Sequence, residues 1–473
     1  MGNPRMDQYT PRKHGPGDYP DTELAYITPA WAKPQANGHR HRHLIGFVLL
    51  GCAFGAAFLY SRSVHPIHQV IKASKPPHIS TAVSSVFPSD VDVGECIEWG
   101  AKNTSWWNSA ASSTIRFPLN MDSLFFLREG TPIDGTFQVF EADPTKYEPG
   151  KVHVELSISS RYEGFIDQTK VCHLTKEGGG DGLGIMADFT HSWFDNTKID
   201  VTVRIPIPES GEELKISNFE TDLPYIRQVL YTSYPITFGN LKLSGQGQDV
   251  DAVGIVADTV DMRTSDALVG GLFETTGPIS LFTKNGMVSG RFNTSSTVSL
   301  VTSNAPISAI AYLKNDESTG QAAELIMQTT NGAIDGTISL ESLADDGFGG
   351  WFNISTTTSN GASHLKLMSI SPRAKLDLTA HTTGSSDGAA VELGPGYEGA
   401  FNLETAPGSK AEVDIWPFSV HQDPEHRGRK RAALVINNHN KAEGRVWWDS
   451  DGQDLGRGTI EIMSTSGKVG LKV

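Results

Sequence analysis

The chain has 473 residues, and 54 acidic against 39 basic side chains give it a formal charge of −15. Residues 1–60 are +2, so residues 61–473 carry −17, which argues against nucleic acid or an anionic lipid surface as the main partner of the large part. With three cysteines and no Cys/His cluster or HExxH, zinc chemistry has no motif to rest on.

Residues 1–43 hold six prolines, four glycines and no periodic apolar pattern, so they cannot bury enough surface to offset chain entropy and read as a disordered cytoplasmic tail. Met6 stands where a myristoylation signal needs Ser or Thr. Next comes Leu44–Tyr60, LIGFVLLGCAFGAAFLY, with no charged side chain. As a helix its 17 residues reach roughly 25 Å, enough for a thin bilayer core. No helical periodicity surrounds it, which separates it from a buried helix of a soluble core. A long polar lead and the following Tyr60-Ser61-Arg62 separate it from a cleaved signal peptide. The expectation is a transmembrane signal-anchor helix. Lys33, Arg40 and Arg42 precede it and Arg62 follows, so the N-terminus is expected in the cytoplasm and the C-terminal domain in the lumen or outside, a single-pass type II arrangement. Gly51 and Gly55 form a GxxxG, a candidate weak helix dimer contact.

Residues 61–94 read as a polar stalk, and 95–237 as a β-rich segment. There Val152, Val154, Leu156 and Ile158 alternate with polar residues, as do Ile199, Val201, Val203, Ile205 and Ile207, the period of half-buried strands. A short helical turn is expected around Tyr225–Leu230. The sequons at Asn103, Asn293 and Asn353 all follow the span and are candidates for N-glycosylation. A chain with 17 asparagines after residue 60 reaches about three sequons by chance, so they permit the orientation without supporting it. Cys96 and Cys172 are free to pair in an oxidising compartment or to remain buried thiols. From residue 238 to 473 a phrase returns: TTGPISL at Thr275, TKNGMVSG at Thr283, TSNAPISAI at Thr302, TTNGAIDGTI at Thr329, TSNGASHLKL at Thr358 and TSGKVGLKV at Thr465. Asn and Gly tolerate a tight corner, after which a short strand points alternate side chains inward. Spacings of 19, 27 and 29 residues between later turns suit solenoid coils with loops of unequal length. An antiparallel sandwich with Asn-Gly hairpins is the competing architecture.

Phrases of the form T-x-N-G-x-I-x-G in a Gly/Thr/Ser/Asn-rich β-region resemble the adhesin-type β-solenoid domain of bacteria and of fungal membrane or secreted proteins. The ending GRGTIEIMSTSGKVGLKV and the signal-anchor layout are similar to the fungal members. The resemblance covers about residues 95–473, most clearly 238–370. It implies a mainly β chain with a single-stranded β-helix-like ectodomain, adhesion or cell-wall association, and no catalytic residue to carry over.

Other motifs are weak. Asn120-Met121-Asp122, Asp345-Asp346 and Arg373-Ala374-Lys375 match in order the carboxylate and cation motifs of pectin hydrolases, whose inversion needs two carboxylates across a water, but no G-H-G accompanies them. A polysaccharide hydrolase or lyase on a β-helix is therefore the alternative to a non-enzymatic surface protein. Gly182–Ala187 matches GxGxxA without a βαβ context and reads as a loop. Asp449–Asp454 has calcium-loop composition but fails the EF-hand pattern. The run Arg427-Gly428-Arg429-Lys430-Arg431 reads as an exposed loop with a candidate processing site at Lys430-Arg431. Trp106-Trp107 and Trp447-Trp448 are divided between core packing and sugar-platform readings. No cofactor or metal is expected. The partners expected are the membrane and a cell-wall carbohydrate or surface protein.

Overall fold

The computed structural model describes residues 87–473, apart from 101, 106–107, 120, 149, 189–196, 209, 233–234, 417–421 and 449–456. The tail, the apolar segment 44–60 with Cys52, Gly51 and Gly55, and most of the stalk lie outside the described residues. No helix among the described residues is long and apolar enough to cross a membrane. The described structure includes residues before the expected boundary at residue 95. Phe87 is 5 % exposed, and the first strand is Val91–Cys96.

The described chain is mainly β, and its strands form one continuous sheet built as two ladders around a shared core. Ladder 1 runs in space through Val91–Cys96, Thr169–Lys176, Gly180–Ala187, Ser123–Gly130, Leu214–Asp222, Ile236–Ser244, the second half of Val250–Arg263, Ile279–Phe282, Thr297–Val301 and Ala323–Thr329. It continues through Trp351–Thr358, Lys375–Thr382, Gly458–Ser464, Gly399–Thr405, Lys441–Trp448 and Arg431–Asn438. Ladder 2 runs through Asn103–Ser105, Asn108–Pro118, Lys151–Ser160, Lys198–Pro206, Asp134–Ala142, Ile226–Tyr231, the first half of Val250–Arg263, Val269–Thr275 and Val288–Thr294. Ile307–Asn315, Ile334–Ser342, Ser363–Ile370, Ala389–Leu393, Val469–Lys472 and Ala411–Asp414 complete it. Pairing is parallel through the body of both ladders and turns antiparallel toward the ends.

This is a solenoid-like stack, and it starts well before residue 238: Ser123–Gly130 already pairs in parallel with two neighbours. Period-two burial explains it. In ladder 2 one inward position reads Val250, Val269, Val288, Ile307, Ile334, Ser363, Ala389, Val469 and Ala411 in register, each 0–1 % exposed. Ladder 1 answers with Val260, Ile279, Val298, Leu325, Ile354, Leu378, Ile460 and Phe401. Each such aliphatic side chain contributes about 2 kcal/mol by leaving water. The polar exception, Ser363, hydrogen-bonds Thr356 at 3.0 Å.

The T-x-N-G phrase builds the corner leading from ladder 1 to ladder 2. Its Thr is buried: Thr283, Thr302, Thr329 and Thr358 donate to the carbonyls of Ala267, Gly286, Ala305 and Gly332 in the preceding coil at 2.9–3.1 Å. The Asn side chains stack into an amide ladder, Asn285 to Asp266, Asn304 to Asn285, Asn331 to Asn304 and Asn360 to Asn331, at 2.5–2.7 Å. The Gly lets coils close up, because a Cβ on Gly332 would stand 1.8 Å from the Ala305 carbonyl oxygen.

Two copies of the phrase are placed differently than expected. Thr275-Thr276-Gly277 turns the opposite corner, from ladder 2 to ladder 1. At the C-terminus Ser464, not Thr465, takes the buried hydroxyl position, accepting from Gly467 N–H at 2.9 Å. The expected helix at Tyr225–Leu230 is the strand Ile226–Tyr231, since Ile226 and Leu230 face the core. Among the described residues the α-helix that does form is Glu163–Gln168, anchored by Ile166. Gly182–Ala187, expected as a loop, lies in the strand Gly180–Ala187, where a Cβ on Gly182 would meet the Phe125 carbonyl oxygen at 2.3 Å.

Candidate binding faces

Residues between the inward positions form the outer faces. On ladder 1, Ser280, Ser299, Ile326, Ser355 and Thr379 stand in register and half-exposed. Beside them run Thr297, Glu324, Asn353, Asp377 and Thr459. Strand pairing repeats these groups, all polar but Ile326, about every 4.8 Å across the face and about 7 Å along each strand. Toward its beginning the row is tied together: Asn240 donates to Asn218 at 2.8 Å, and Thr259 to Asn240 at 2.7 Å. Nearby, Glu220 accepts from Lys176 at 2.7 Å and Lys242 at 2.6 Å.

The outer face of ladder 2 carries a groove of about 570 Å³ crossing the strands from Ile307–Asn315 to Ala411–Asp414. One register row reads Asp335, His364, Ala390, Gly470, Glu412, and the row beside it Thr337, Lys366, Glu392, Lys472, Asp414. Its charges are largely answered within it. Lys366 lies 3.3 Å and Lys472 4.0 Å from Glu392, His364 lies 3.5 Å from Asp335, and Lys410 2.6 Å from Glu412. The Asp335 carboxylate raises the His364 pKa against a partial burial penalty. Lys472 also holds its ammonium 3.5 Å from the centre of the Trp416 ring.

A third polar assembly closes the C-terminal end. Arg429 lies 2.9 Å from Asp423, 3.1 Å from Glu425 and 3.3 Å from Glu398, while Glu425 also binds Arg373 at 2.9 Å and Arg427 at 3.0 Å. Burial alone would raise the Asp423 carboxyl, but the Arg429 guanidinium and the backbone N–H groups of Glu425, Arg427 and Arg429 hold it well below its usual range. Glu425 is held down by its three arginines against the same penalty. Arg431, 5 % exposed, lies over Trp448 and donates to the Pro395 carbonyl, and burial pushes its pKa down to about 10. The basic run is therefore not the free loop expected. Lys430 is exposed, but Arg431 begins a strand.

The remaining expected residues fall as follows. Cys96 and Cys172 are joined in a disulfide with S–S 2.00 Å, across the first antiparallel pair. Asn103 is exposed, and Asn293 and Asn353 sit half-exposed on outer faces of ladders 2 and 1. Trp448 is core, donating to the Pro395 carbonyl at 2.9 Å, and Trp447 is half-buried; Trp106-Trp107 and Asp449–Asp454 lie outside the described residues. The pectin-hydrolase motifs do not converge. Asp122 precedes the strand Ser123–Gly130, seven ladder steps from Trp351–Thr358 beside the Asp345-Asp346 loop, or roughly 34 Å. Arg373 is committed to Glu425. Among the described residues no group of three or more His, Cys, Asp or Glu could hold a metal ion. Sequence reasoning missed the groove, because Asp335, His364, Ala390 and Gly470 are dispersed in the chain and meet only through coil register. The half-exposed alternation of each strand was the one available signal.

No family model matches the chain, and no curated protein matches it. Among solved structures it is similar to a crystal structure titled "putative cell adhesion protein" from Clostridium sporogenes ATCC 15579, with 9 % identity over 77 % of this chain and 99 % of that one and a TM-score of 0.17.

Proposed function

We propose that this protein is a non-enzymatic, membrane-anchored surface protein whose stacked ladders serve adhesion or cell-wall association. The observation that carries the reading is the outer face of ladder 1. Its hydroxyl and amide groups, interrupted by Ile326, Glu324 and Asp377, are repeated at strand spacing on a rigid scaffold, an arrangement suited to many weak contacts with a repetitive polymer. A carbohydrate-active enzyme on the same scaffold would need two carboxylates within about 10 Å across a sugar, and the motif carboxylates are several times farther apart. The segment Leu44–Tyr60 supplies the anchor, the cytoplasmic tail precedes it, and the Cys96–Cys172 bond suits an oxidising compartment. Asn103, the most open sequon, is the first glycan acceptor expected.

The test uses vesicles carrying the full chain, mixed with insoluble neutral cell-wall polysaccharide. Wild-type vesicles are expected to sediment with the polymer, and Ser299→Asp with Ser355→Asp to lower retention at least tenfold. Vesicles that never sediment, or retention that ignores both substitutions, overturn the reading. Protease protection of tags at both ends checks the orientation: digestion of the C-terminal tag on sealed microsomes sinks the surface assignment.

A further inference from the structure

We propose that the groove on ladder 2 is a discrete binding site for a neutral sugar unit of an oligosaccharide, a selective site beside the broad face of ladder 1; the inference rests on the surface-binding reading above. Its shape comes from two consecutive small residues. In the row Asp335, His364, Ala390, Gly470, Glu412, side chains stop at a methyl group at Ala390 and vanish at Gly470. A Cβ on Gly470 would meet only the Ala390 methyl, at 3.9 Å. His364 and Glu412 therefore stand as end walls three strands apart, about 14 Å, and the row of Lys366, Glu392 and Lys472 forms a side wall about 7 Å away. A box of that size admits one or two pyranose rings.

The charges select the class. Lys366 and Lys472 share the carboxylate of Glu392, Asp414 ends the same row opposite Lys472, His364 faces Asp335, and Lys410 answers Glu412, so both signs alternate along the walls and neither dominates as a field for an ionic ligand. Each ammonium has three donors and each carboxylate about four acceptor sites. Those left over after the internal pairs suit a ligand whose hydroxyl groups both donate and accept. The floor between the walls is methyl and backbone, a surface for the C–H face of a sugar ring.

The full-length protein in detergent is titrated with neutral hexasaccharides of glucose, mannose and N-acetylglucosamine, and with hexagalacturonate, with binding read by ligand-observed NMR. At least one neutral hexasaccharide is expected to bind. Its affinity should fall at least tenfold in Ala390→Trp and in Gly470→Tyr, which fill the box from two neighbouring strands, and hold in Ser299→Asp with Ser355→Asp, which alters the other ladder. Thermal melting identifies which filling variant is folded, and either one suffices. Unchanged affinity in a folded filling variant, or binding of hexagalacturonate alone, overturns the proposal. If no oligosaccharide binds while vesicles still sediment with polysaccharide, the groove falls and the surface reading stands. If neither occurs, both fall.

Discussion

The middle of the stack and its two ends are built by different means. Between Val250 and Leu393 order in space follows order in the chain: each coil pairs with the one before and the one after, and the Thr and Asn of each corner repeat the same bonds. At the ends the order breaks. Ser123–Gly130 and Asp134–Ala142 lie between later strands on both sides. Gly458–Ser464 and Val469–Lys472 insert between coils that precede them in sequence. Antiparallel strands, the Cys96–Cys172 bond and the Arg429 network then finish the parallel coils. A repeated coil needs only its neighbours, whereas an end must be finished by something unlike the repeat.

The sharpest way to break the comparison is to stop two middle coils from meeting. Gly332→Val puts side-chain atoms where the Ala305 carbonyl oxygen lies, 1.8 Å from the first of them, and is expected to cost more than about 4 kcal/mol; thermal melting of the purified chain should show no cooperative transition. At the N-terminal end, replacing Cys96 and Cys172 by Ser opens a loop closed over a separation of 76 residues, worth about 4 kcal/mol in the chain-entropy account. Limited proteolysis should then cut before residue 180 while the middle stays protected. Melting of the whole stack at one temperature would show instead that end and middle are a single cooperative unit.

At the other end, Arg429→Ala leaves Asp423, Glu425 and Glu398 without their shared cation and is expected to cost about 3 kcal/mol. The same network sets a pH dependence. Asp423 and Glu425 have depressed folded-state pKa values, so their stabilisation is present above the ordinary carboxylate range near pH 4 and is lost as pH falls through the lower folded values. Hydrogen exchange should show residues 422–431 opening in acid before the middle coils do, and Arg429→Ala should flatten that dependence. Asn331→Leu removes one donor and one acceptor from an exposed amide ladder for about 1–2 kcal/mol. A melting shift no larger than that of a surface control would mean that the Asn row contributes little to coil stacking.

The smallest effect on stability concerns the strand Arg431–Asn438, which among the described residues pairs on one side only. It leaves Leu434 and Ile436 57 % and 52 % exposed. Ile436→Lys should change stability by less than about 0.5 kcal/mol yet reduce concentration-dependent association, because a charge on an apolar edge discourages strand addition. Equal sedimentation profiles for both chains would show that this edge is already covered.

The middle was legible because its information is local. Val152 to Ile158 and Ile199 to Ile205 alternate, and the strands Lys151–Ser160 and Lys198–Pro206 bury those same side chains, while Ile207 falls past the strand's end and is only partly buried. The corner phrases announced themselves through Thr, Asn and Gly, although Thr275 shows that a similar phrase can serve the opposite corner. Tyr225–Leu230 misled because a short apolar run has no period long enough to separate helix from strand. The site was almost illegible: nothing near His364 in sequence points to Ala390, Gly470 or Glu412.

Composition and period two by themselves determined that residues beyond the apolar segment would form short, half-buried strands turned by Thr-Asn-Gly corners, since those choices depend on residues within reach of one another along the chain. Tertiary structure alone decided which strand lies on which. The insertion of the last two strands between earlier coils, the partnership of Cys96 with Cys172, the capture of Arg429 by three carboxylates and the juxtaposition of Ala390 with Gly470 all join positions distant in the chain. Such contacts follow from the burial of a common core, which every coil shares and no single stretch encodes.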